Sequence, residues 1–266
     1  MKTEGYCDAL DWSTSILVHC NVMKVKMKLP IQSPNLLDAH QHLHDRAYAY
    51  LKGLLLDGGL SPGDLISTEA VGRALGISRA PVTDAVKRLT ADGFLVVLPQ
   101  IGCRVYTPVP AEVADFYELF AISEALIARF AASRRTSDEA RQFARFVENL
   151  ESDATEQGNN SAQTTAARKR NRARHHALHA LARSPLSANI AASLWDRSDF
   201  FVRLAFGKFM IPENAAIAQD IVVRAVVKGD AGTAERITRK YLHESGKTVA
   251  KLLGGYLESK GIRARV

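Results

Sequence analysis

The stretch from Ser61 to Val105 constrains the fold of this 266-residue chain more than any other segment. It contains two short helical patterns separated by Gly76 and Ile77, and an apolar strand, a turn and a second strand follow them. Two helices joined by a short turn and followed by a β-hairpin form a winged helix-turn-helix. The order of these patterns therefore predicts that fold for this segment.

The second helical pattern, which begins after Ser78, has two distinct faces. Its apolar side chains recur at i, i+3, i+4 and i+7 and must lie against a core; they are Val82, Ala85, Val86 and Leu89. The other face carries a guanidinium, a hydroxyl and an ammonium group, from Arg79, Thr83 and Lys87. Such groups beside an exposed helix N-terminus suit phosphates and base edges. This helix is therefore predicted to contact double-stranded DNA.

The hairpin after this helix supplies a second candidate contact with DNA. Residues 94–98 form an apolar strand, residues 99–102 a turn, and residues 104–106 resume an extended pattern. Gly102 lets the tip approach a DNA backbone closely, and Gln100 and Arg104 flank it. The candidate DNA contacts of both parts together are Ser67, Thr68, Ser78, Arg79, Ala80, Pro81, Thr83, Lys87, Gln100, Gly102 and Arg104.

The composition of the chain is consistent with a cytoplasmic protein that binds a polyanion. The net charge is +7 and the isoelectric point is near 9.4, which favours a nucleic acid. The three scattered cysteines form neither a disulfide framework nor a CxxC metal site, and no apolar run reaches a transmembrane length. No GxSxG, HExxH, P-loop or dinucleotide-binding glycine pattern is present, so we expect no enzyme activity.

Three regions are predicted along the chain. Residues 1–37 form a poorly ordered extension, in which Met23 and Met27 are alternative translation starts. The winged helix-turn-helix domain occupies residues 38–108, and a helical domain occupies residues 109–266. The helical domain is predicted as an antiparallel bundle of about six helices, able to hold a ligand pocket. Apolar spacing and punctuation by proline and glycine place these helices at residues 111–133, 138–156, 165–183, 186–206, 214–228 and 231–257.

The N-terminal segment resembles the winged helix of the GntR family of bacterial transcriptional regulators. The resemblance rests on residues 60–63, 75–79, 81–82 and 88–89, together with Ala85, Asp92-Gly93 and Gly102. The upstream residues that fit the family's first helix are Tyr48, Leu51, Leu55 and Gly58. It implies sequence-specific operator binding, commonly as a repressor. Thr83 stands where most members carry arginine, and Ala80 where threonine is common, so we expect an altered operator preference.

The helical half resembles the ligand-sensing domain of the FadR-type, or FCD, branch of that family. The matching residues are Tyr117-Glu118-Leu119, Glu124, His175 ahead of residues 182–186, and residues 225–230 with Ala234. The resemblance implies a homodimer whose affinity for a palindromic operator is changed by a small metabolite, commonly an organic acid. It also implies a divalent metal held by an Asp–His pair spaced i, i+4 and by two later histidines.

The metal positions depart from the family pattern. His175 occupies the first histidine position, but Asn171, Gln219 and Tyr241 stand at the other three, and neutral groups bind divalent ions poorly. We therefore expect no metal cofactor. An alternative zinc site would use His175, His179 and His243, since the first two are spaced i, i+4.

An effector pocket without a metal is expected to hold a weakly acidic or apolar metabolite. Its candidate residues are Phe120, Asn171, His175, Arg203, Gln219 and Tyr241. Ligand binding would shift the spacing of two winged helices on half-sites about one helical turn apart. Two alternatives stay open: a metal-dependent sensor of organic acids, and an architectural DNA-binding dimer that needs no ligand.

Overall fold

A computed structural model describes residues 43–152 and 161–261 of the chain. The predicted extension, residues 1–37, with both alternative translation starts, lies outside the described residues. The N-terminal helices are α1 (Leu43–Asp57), α2 (Thr68–Leu75) and α3 (Arg79–Ala91), and the strands are β1 (Leu65–Ile66), β2 (Leu95–Leu98) and β3 (Gly102–Val105).

The wing is a three-stranded antiparallel sheet in the order β1-β3-β2. Val97 lies opposite Cys103 across the hairpin, and Ile66 of β1 lies opposite Cys103 on the other edge of β3. The predicted winged helix-turn-helix is confirmed. Strand β1 was not predicted, because two residues are too few to show an alternating pattern. Gly102 was predicted in the turn, but it begins β3 and pairs with Leu98.

Local chemistry explains where the two helices of the motif begin and end. The Oγ of Ser67 accepts a hydrogen bond from the backbone N–H of Ala70 at 3.1 Å and caps α2. Gly76 ends α2 with a φ of 65°, a conformation that glycine adopts without strain. The four predicted core residues of α3 are all buried: Val82, Ala85, Val86 and Leu89.

Six helices follow, as predicted, and no others occur in the described part of residues 109–266. They are α4 (Pro110–Arg134), α5 (Ser137–Ser152), α6 (Ser161–Leu181), α7 (Pro185–Phe206), α8 (Glu213–Lys228) and α9 (Ala231–Ser259). Helix α4 packs along α9 and also contacts α6, α7 and α8, so it lies within the bundle. None of the described helices is long and apolar enough to cross a lipid bilayer.

Proline and glycine set most of these boundaries. Pro110 and Pro185 lie at the starts of α4 and α7, where the missing N–H removes no intrahelical hydrogen bond. Gly229 ends α8 with a φ of 79°. Helix α6 was predicted to reach Arg183 but ends at Leu181, and Arg183 itself has a φ of 48°. The predicted extension of α5 beyond Ser152 lies outside the described residues.

Candidate functional site

Helix α3 presents the predicted polar face to solvent. Arg79, Ala80 and Lys87 are exposed and Thr83 is half-buried. The Nε of Arg79 donates to the Oγ1 of Thr68 at 3.0 Å, so the first residue of α2 orients the first side chain of α3. The Oγ1 of Thr83 donates to the carbonyl of Arg79 at 3.0 Å, and Lys87 pairs with Asp84. Ser78 is the N-cap residue, but its side chain makes no capping hydrogen bond.

The tip of the wing is exposed and has unusual backbone geometry. Gln100 has a φ of 64° and Gly102 a φ of 130°, so the chain reverses tightly between β2 and β3. Ile101 between them is 67% exposed. Arg104 lies farther back, in the central strand, opposite Leu65 and Val96. Its side chain is half-buried, in contrast to the exposed Gln100.

A cavity of about 210 Å³ lies inside the helical bundle. Helices α4, α6, α7, α8 and α9 and the segment between α7 and α8 contribute its walls, which are mostly apolar. Three of the six predicted pocket residues line it, namely Asn171, Gln219 and Tyr241. The other three, Phe120, His175 and Arg203, lie elsewhere.

Phe120 and His175 belong to the core beside the cavity. The Phe120 ring is fully buried, stacks on Phe116 and meets the edge of Trp195 at a centroid distance of 4.8 Å. The His175 ring lies against Trp195 at 3.7 Å and borders a separate void of about 20 Å³, which has room for about one water molecule. Both rings thus contact Trp195, which itself lines the larger cavity, and neither ring lines that cavity.

Glu124 is a buried charged residue for which the sequence analysis assigned no role. It is fully buried on α4, where it contacts the Nε2 of His179 at 2.8 Å and the Nδ1 of His175 at 3.6 Å. Burial would raise the pKa of Glu124, but the two imidazoles outweigh that effect and lower it. Burial also lowers the pKa of His175 to about 4, against the attraction of Glu124. An acidic residue within the apolar pattern of α4 was the available signal.

The residues at the four family metal positions do not fit a divalent cation. The Nε2 of Gln219 donates to the Oδ1 of Asn171 at 3.3 Å, so that amide oxygen already accepts a hydrogen bond. Arg174 donates to the Oε1 of Gln219 and brings a guanidinium to the place a cation would need. None of the four residues is a carboxylate. Asn171, Gln219 and Arg174 are instead linked to one another by hydrogen bonds at these positions.

The alternative zinc site is not assembled either. His243 is 35% exposed and pairs with Glu118 on the surface, whereas His175 and His179 lie buried around Glu124. No group of three His, Cys, Asp or Glu side chains suited to a metal occurs in residues 43–152 and 161–261. The i, i+4 spacing of His175 and His179 places both beside Glu124, and His243 is not part of that cluster.

Asp199 is the charged residue that the cavity contains, and sequence reasoning missed it. Its side chain is 1% exposed, and its Oδ2 has no hydrogen-bond partner within the described part of the chain. The Nε of Arg172 lies 3.9 Å from that oxygen. Burial raises the pKa of Asp199 to about 7, although the guanidinium groups of Arg172 and Arg168 lower it. An aspartate inside the apolar run of α7 would have been the signal.

The raised pKa of Asp199 predicts a pH dependence of stability. Folded Asp199 keeps its proton to about pH 7, whereas the unfolded side chain releases it near 3.8, so the unfolding free energy falls as the pH rises between those values. We expect a loss of about 2–3 kcal/mol between pH 5 and 7.5. The charged neighbours are Lys52, Arg168, Arg172 and Asp196.

Urea unfolding of the wild type and of Asp199→Asn at both pH values measures this effect. The wild-type value should fall relative to that of the variant, which cannot ionise at this position. Asp220→Asn, which changes an exposed aspartate of α8, serves as the matched control and should follow the wild type. Equal pH dependence in the wild type and Asp199→Asn would refute the assignment.

Helix α7 also contacts the winged helix-turn-helix. Arg203 donates from Nη2 to the carbonyls of Leu55 at 3.0 Å and Leu60 at 2.7 Å. This bonding, at the end of α1, holds Arg203 away from the cavity where it was predicted. On the same helix, Asp196 pairs with Lys52 of α1, and the Nε of Arg197 donates to the carbonyl of Asp92 at 2.8 Å.

A glycine makes one of these contacts fit. Gly93 has a φ of 78°, and a Cβ there would lie 1.9 Å from Nη2 of Arg197. Only a residue without a side chain therefore allows the guanidinium to lie over this turn. The contacts of Arg197, Arg203 and Asp196 together define a junction between α7 and the N-terminal domain, called the α7 junction below.

Both halves of the chain match known protein families. Residues 43–105 match the family model of bacterial regulatory proteins, gntR family, and residues 115–244 match that of the FCD domain. An uncharacterized HTH-type transcriptional regulator of Agrobacterium vitis is 33% identical over 73 residues, which are 27% of this chain and 43% of that protein. A second, from Streptomyces ambofaciens, is 35% identical over 68 residues, 26% of this chain and 29% of that protein. The match thus spans less than half of either relative.

Two solved structures share the fold. McbR/YncC of E. coli superposes with a TM-score of 0.64 at 18% identity, over 81% of this chain and 99% of that one. A putative transcriptional regulator GntR from Rhodococcus sp. RHA1 gives 0.61 at 18% identity, over 80% and 98%. The prediction that the chain is not an enzyme agrees with a family of regulatory proteins. With both domains matched in order, the chain belongs to the GntR family and carries an FCD domain.

Proposed function

We propose that the protein is a homodimeric transcriptional repressor that binds a palindromic operator and is regulated by a small metabolite. It would act in the bacterial cytoplasm on nucleoid DNA. Residues 38–108 would form the DNA-binding domain and residues 109–266 the sensing and dimerisation domain. The main support for this proposal is that helix α7 contacts both the cavity and the DNA-binding domain. Its residues Trp195, Ser198 and Asp199 line the cavity. Its residues Asp196 and Arg203 contact the DNA-binding domain.

The exposed face of α3 is the proposed reading surface for the operator. Arg79 is held at its start by Thr68, which supports a defined geometry for a guanidinium that meets a guanine. Thr83 and Lys87 lie on the same helix, and the tip of the wing at Gln100 and Gly102 would contact the phosphate backbone or minor groove. Arg104 lies in the central strand, farther from the tip than Gln100 and Gly102, so we expect it to contribute less to DNA contact.

The metabolite would bind in the 210 Å³ cavity without a metal. Arg203, the one arginine among the six predicted pocket residues, lies in the α7 junction, so it is not available in the cavity as a cationic partner for an acidic ligand. A ligand beside α7 would favour one position of that helix, and the α7 junction would pass the difference to the winged helix. This is a population shift, in which the ligand prefers one arrangement of the two domains.

Replacing Arg79 with alanine tests the DNA-reading role. Operator affinity should fall about 5- to 150-fold, equivalent to about 1–3 kcal/mol, and base preference should relax at one position in each half-site. The operator is first selected from genomic fragments, and binding is then measured on a set of single-base variants at fixed salt. Arg141→Ala, which removes an exposed arginine of α5, is the matched control and should retain the wild-type profile. An unchanged base preference in Arg79→Ala would remove Arg79 from the reading surface.

A thermal-shift screen of metabolites, with and without EDTA, tests the sensing role. Stabilisation by a compound that is indifferent to EDTA and changes operator affinity supports a metal-free sensor. Stabilisation that EDTA abolishes would favour the metal-dependent sensor of organic acids. If no compound stabilises the protein while specific operator binding persists, the ligand-independent architectural dimer is favoured.

A further inference from the structure

The described side chains that line the cavity include an acidic group but no basic group. Asp199 is the one acidic residue among the described side chains that line it, and none of those side chains is Lys, Arg or His. The Oδ2 of Asp199 is buried and has no hydrogen-bond partner in the described part of the protein. A buried carboxylate oxygen without a donor is costly, so a ligand that supplies a donor or a positive charge gains more than in water.

The walls around Asp199 favour a cation with an apolar body. Five aromatic residues line the cavity: Tyr117, Trp195, Phe206, Phe209 and Tyr241. Aromatic ring faces attract ammonium groups as well as apolar surface. The volume of about 210 Å³ exceeds the roughly 150 Å³ that admits benzene in an engineered protein cavity, so a single ring with a short tether fits.

We propose that the effector is a small organic amine, whose ammonium group pairs with Asp199 while its apolar body lies among the aromatic side chains of the cavity. This inference rests on the proposed effector role of the cavity and narrows its ligand class. An amine differs from the weakly acidic or apolar metabolite expected from the sequence. The predicted set of pocket residues included Arg203 and lacked Asp199, whereas the observed cavity is lined by Asp199 and not by Arg203.

The guanidinium of Arg172 does not donate a hydrogen bond to the Oδ2 of Asp199, so a ligand can supply that donor. Arg172 approaches the Oδ2 of Asp199 to 3.9 Å, which is beyond hydrogen-bond distance. Its Nη2 donates to Asp196 and approaches the carbonyl of Ala192, and Asp196 also binds Lys52. Arg172 is therefore engaged on the side of the α7 junction, and it does not line the cavity. An ammonium group can donate directly to the oxygen that Arg172 does not reach.

Three ligands of matched shape test the proposal by calorimetric titration of the full-length protein at pH 7.5. They are 2-phenylethylamine, 2-phenylethanol and 3-phenylpropanoate, which share a ring and a short tether but carry a cation, a neutral group and an anion. We expect the amine to bind about tenfold or more tightly than the alcohol, since a charge-assisted hydrogen bond replaces a neutral one. The net charge of +7 would favour the anion, so non-specific attraction cannot produce this order.

The Asp199→Asn variant should lose the preference for the amine and still bind the alcohol, which shows that the cavity has folded. Asp220→Asn, with the same charge change on the surface of α8, should keep the preference. Lowering the pH from 7.5 to 6 should weaken binding of the amine several-fold and leave the alcohol unaffected, because protonated Asp199 offers no charge.

Equal binding of the three ligands, or preference for the acid, would overturn the amine proposal. If the alcohol or the acid then still changes operator affinity, the sensing function stands and only the ligand class is wrong. Binding of none of the three overturns the amine proposal as well, and the metabolite screen decides separately whether the cavity binds any effector.

Discussion

Replacing Glu124 with alanine is expected to lower the unfolding free energy by about 3–5 kcal/mol, the cost of removing one partner from a buried charged cluster. The carboxylate of Glu124 is fully buried and contacts His179 at 2.8 Å and His175 at 3.6 Å. Its loss leaves the buried Nε2 of His179 without its hydrogen-bond partner, removes the charge beside His175 and creates a void in a packed core. The measurement is urea unfolding, followed by circular dichroism at neutral pH.

Glu118→Ala is the matched control for this experiment. Glu118 is 51% exposed on the same helix and also pairs with a histidine, His243, so the chemical change is the same without the burial. It should cost less than about 1 kcal/mol. Glu124→Gln keeps an acceptor and should lie between the two, and it remains measurable if the alanine variant does not fold. A loss below about 1 kcal/mol in Glu124→Ala would show that the buried cluster does not stabilise the bundle.

Replacing Arg203 with methionine should lower the unfolding free energy by about 3–4 kcal/mol and weaken the response of operator affinity to a ligand. The guanidinium donates to the carbonyls of Leu55 and Leu60, and hydrogen bonds to a charged group contribute about 1.5–3 kcal/mol each. Methionine fills similar space but leaves both carbonyls unsatisfied. The α7 junction would then hold the DNA-binding domain less firmly, so a ligand beside α7 would transmit less of its binding energy.

The matched control is Arg135→Met. Arg135 also donates to two backbone carbonyls, those of Val226 and Val227, but within the helical domain. Its replacement should lower stability without changing the ratio of operator affinities with and without an effector. Both quantities are measured for each variant, by urea unfolding and by fluorescence anisotropy of labelled operator. An unchanged affinity ratio in Arg203→Met would mean that the α7 junction does not couple the two sites.

Much of the architecture could be predicted because the signals are local. The apolar side chains of α3 recur at helical spacing, and all four predicted core positions are buried. Pro110, Pro185 and Gly229 mark helix ends through their own backbone preferences, and those ends lie close to the predicted ones. The two-residue strand β1 was missed, because it exists only through pairing with β3.

The site was predictable only in part, because its residues meet across long stretches of chain. Asn171, Gln219 and Tyr241 were placed in the pocket by family resemblance, and they line the cavity. Resemblance also suggested a place there for Phe120 and His175, but both pack against Trp195 and neither lines the cavity. For Asp199 and Glu124 the sequence shows only that an acidic residue lies within an apolar helix. That pattern indicates a buried charge, but it does not show which residues or ligand the charge would contact.

The order of elements, the buried face of α3 and the winged helix-turn-helix follow from local signals, because backbone preference and side-chain periodicity act over a few residues. The binding of Arg203 to Leu55 and Leu60 and the position of Asp199 at a cavity follow instead from long-range packing. A charged side chain on a helix can reach solvent, a ligand or another domain. Which of these it meets depends on how distant helices pack, because that packing sets its burial and its partners.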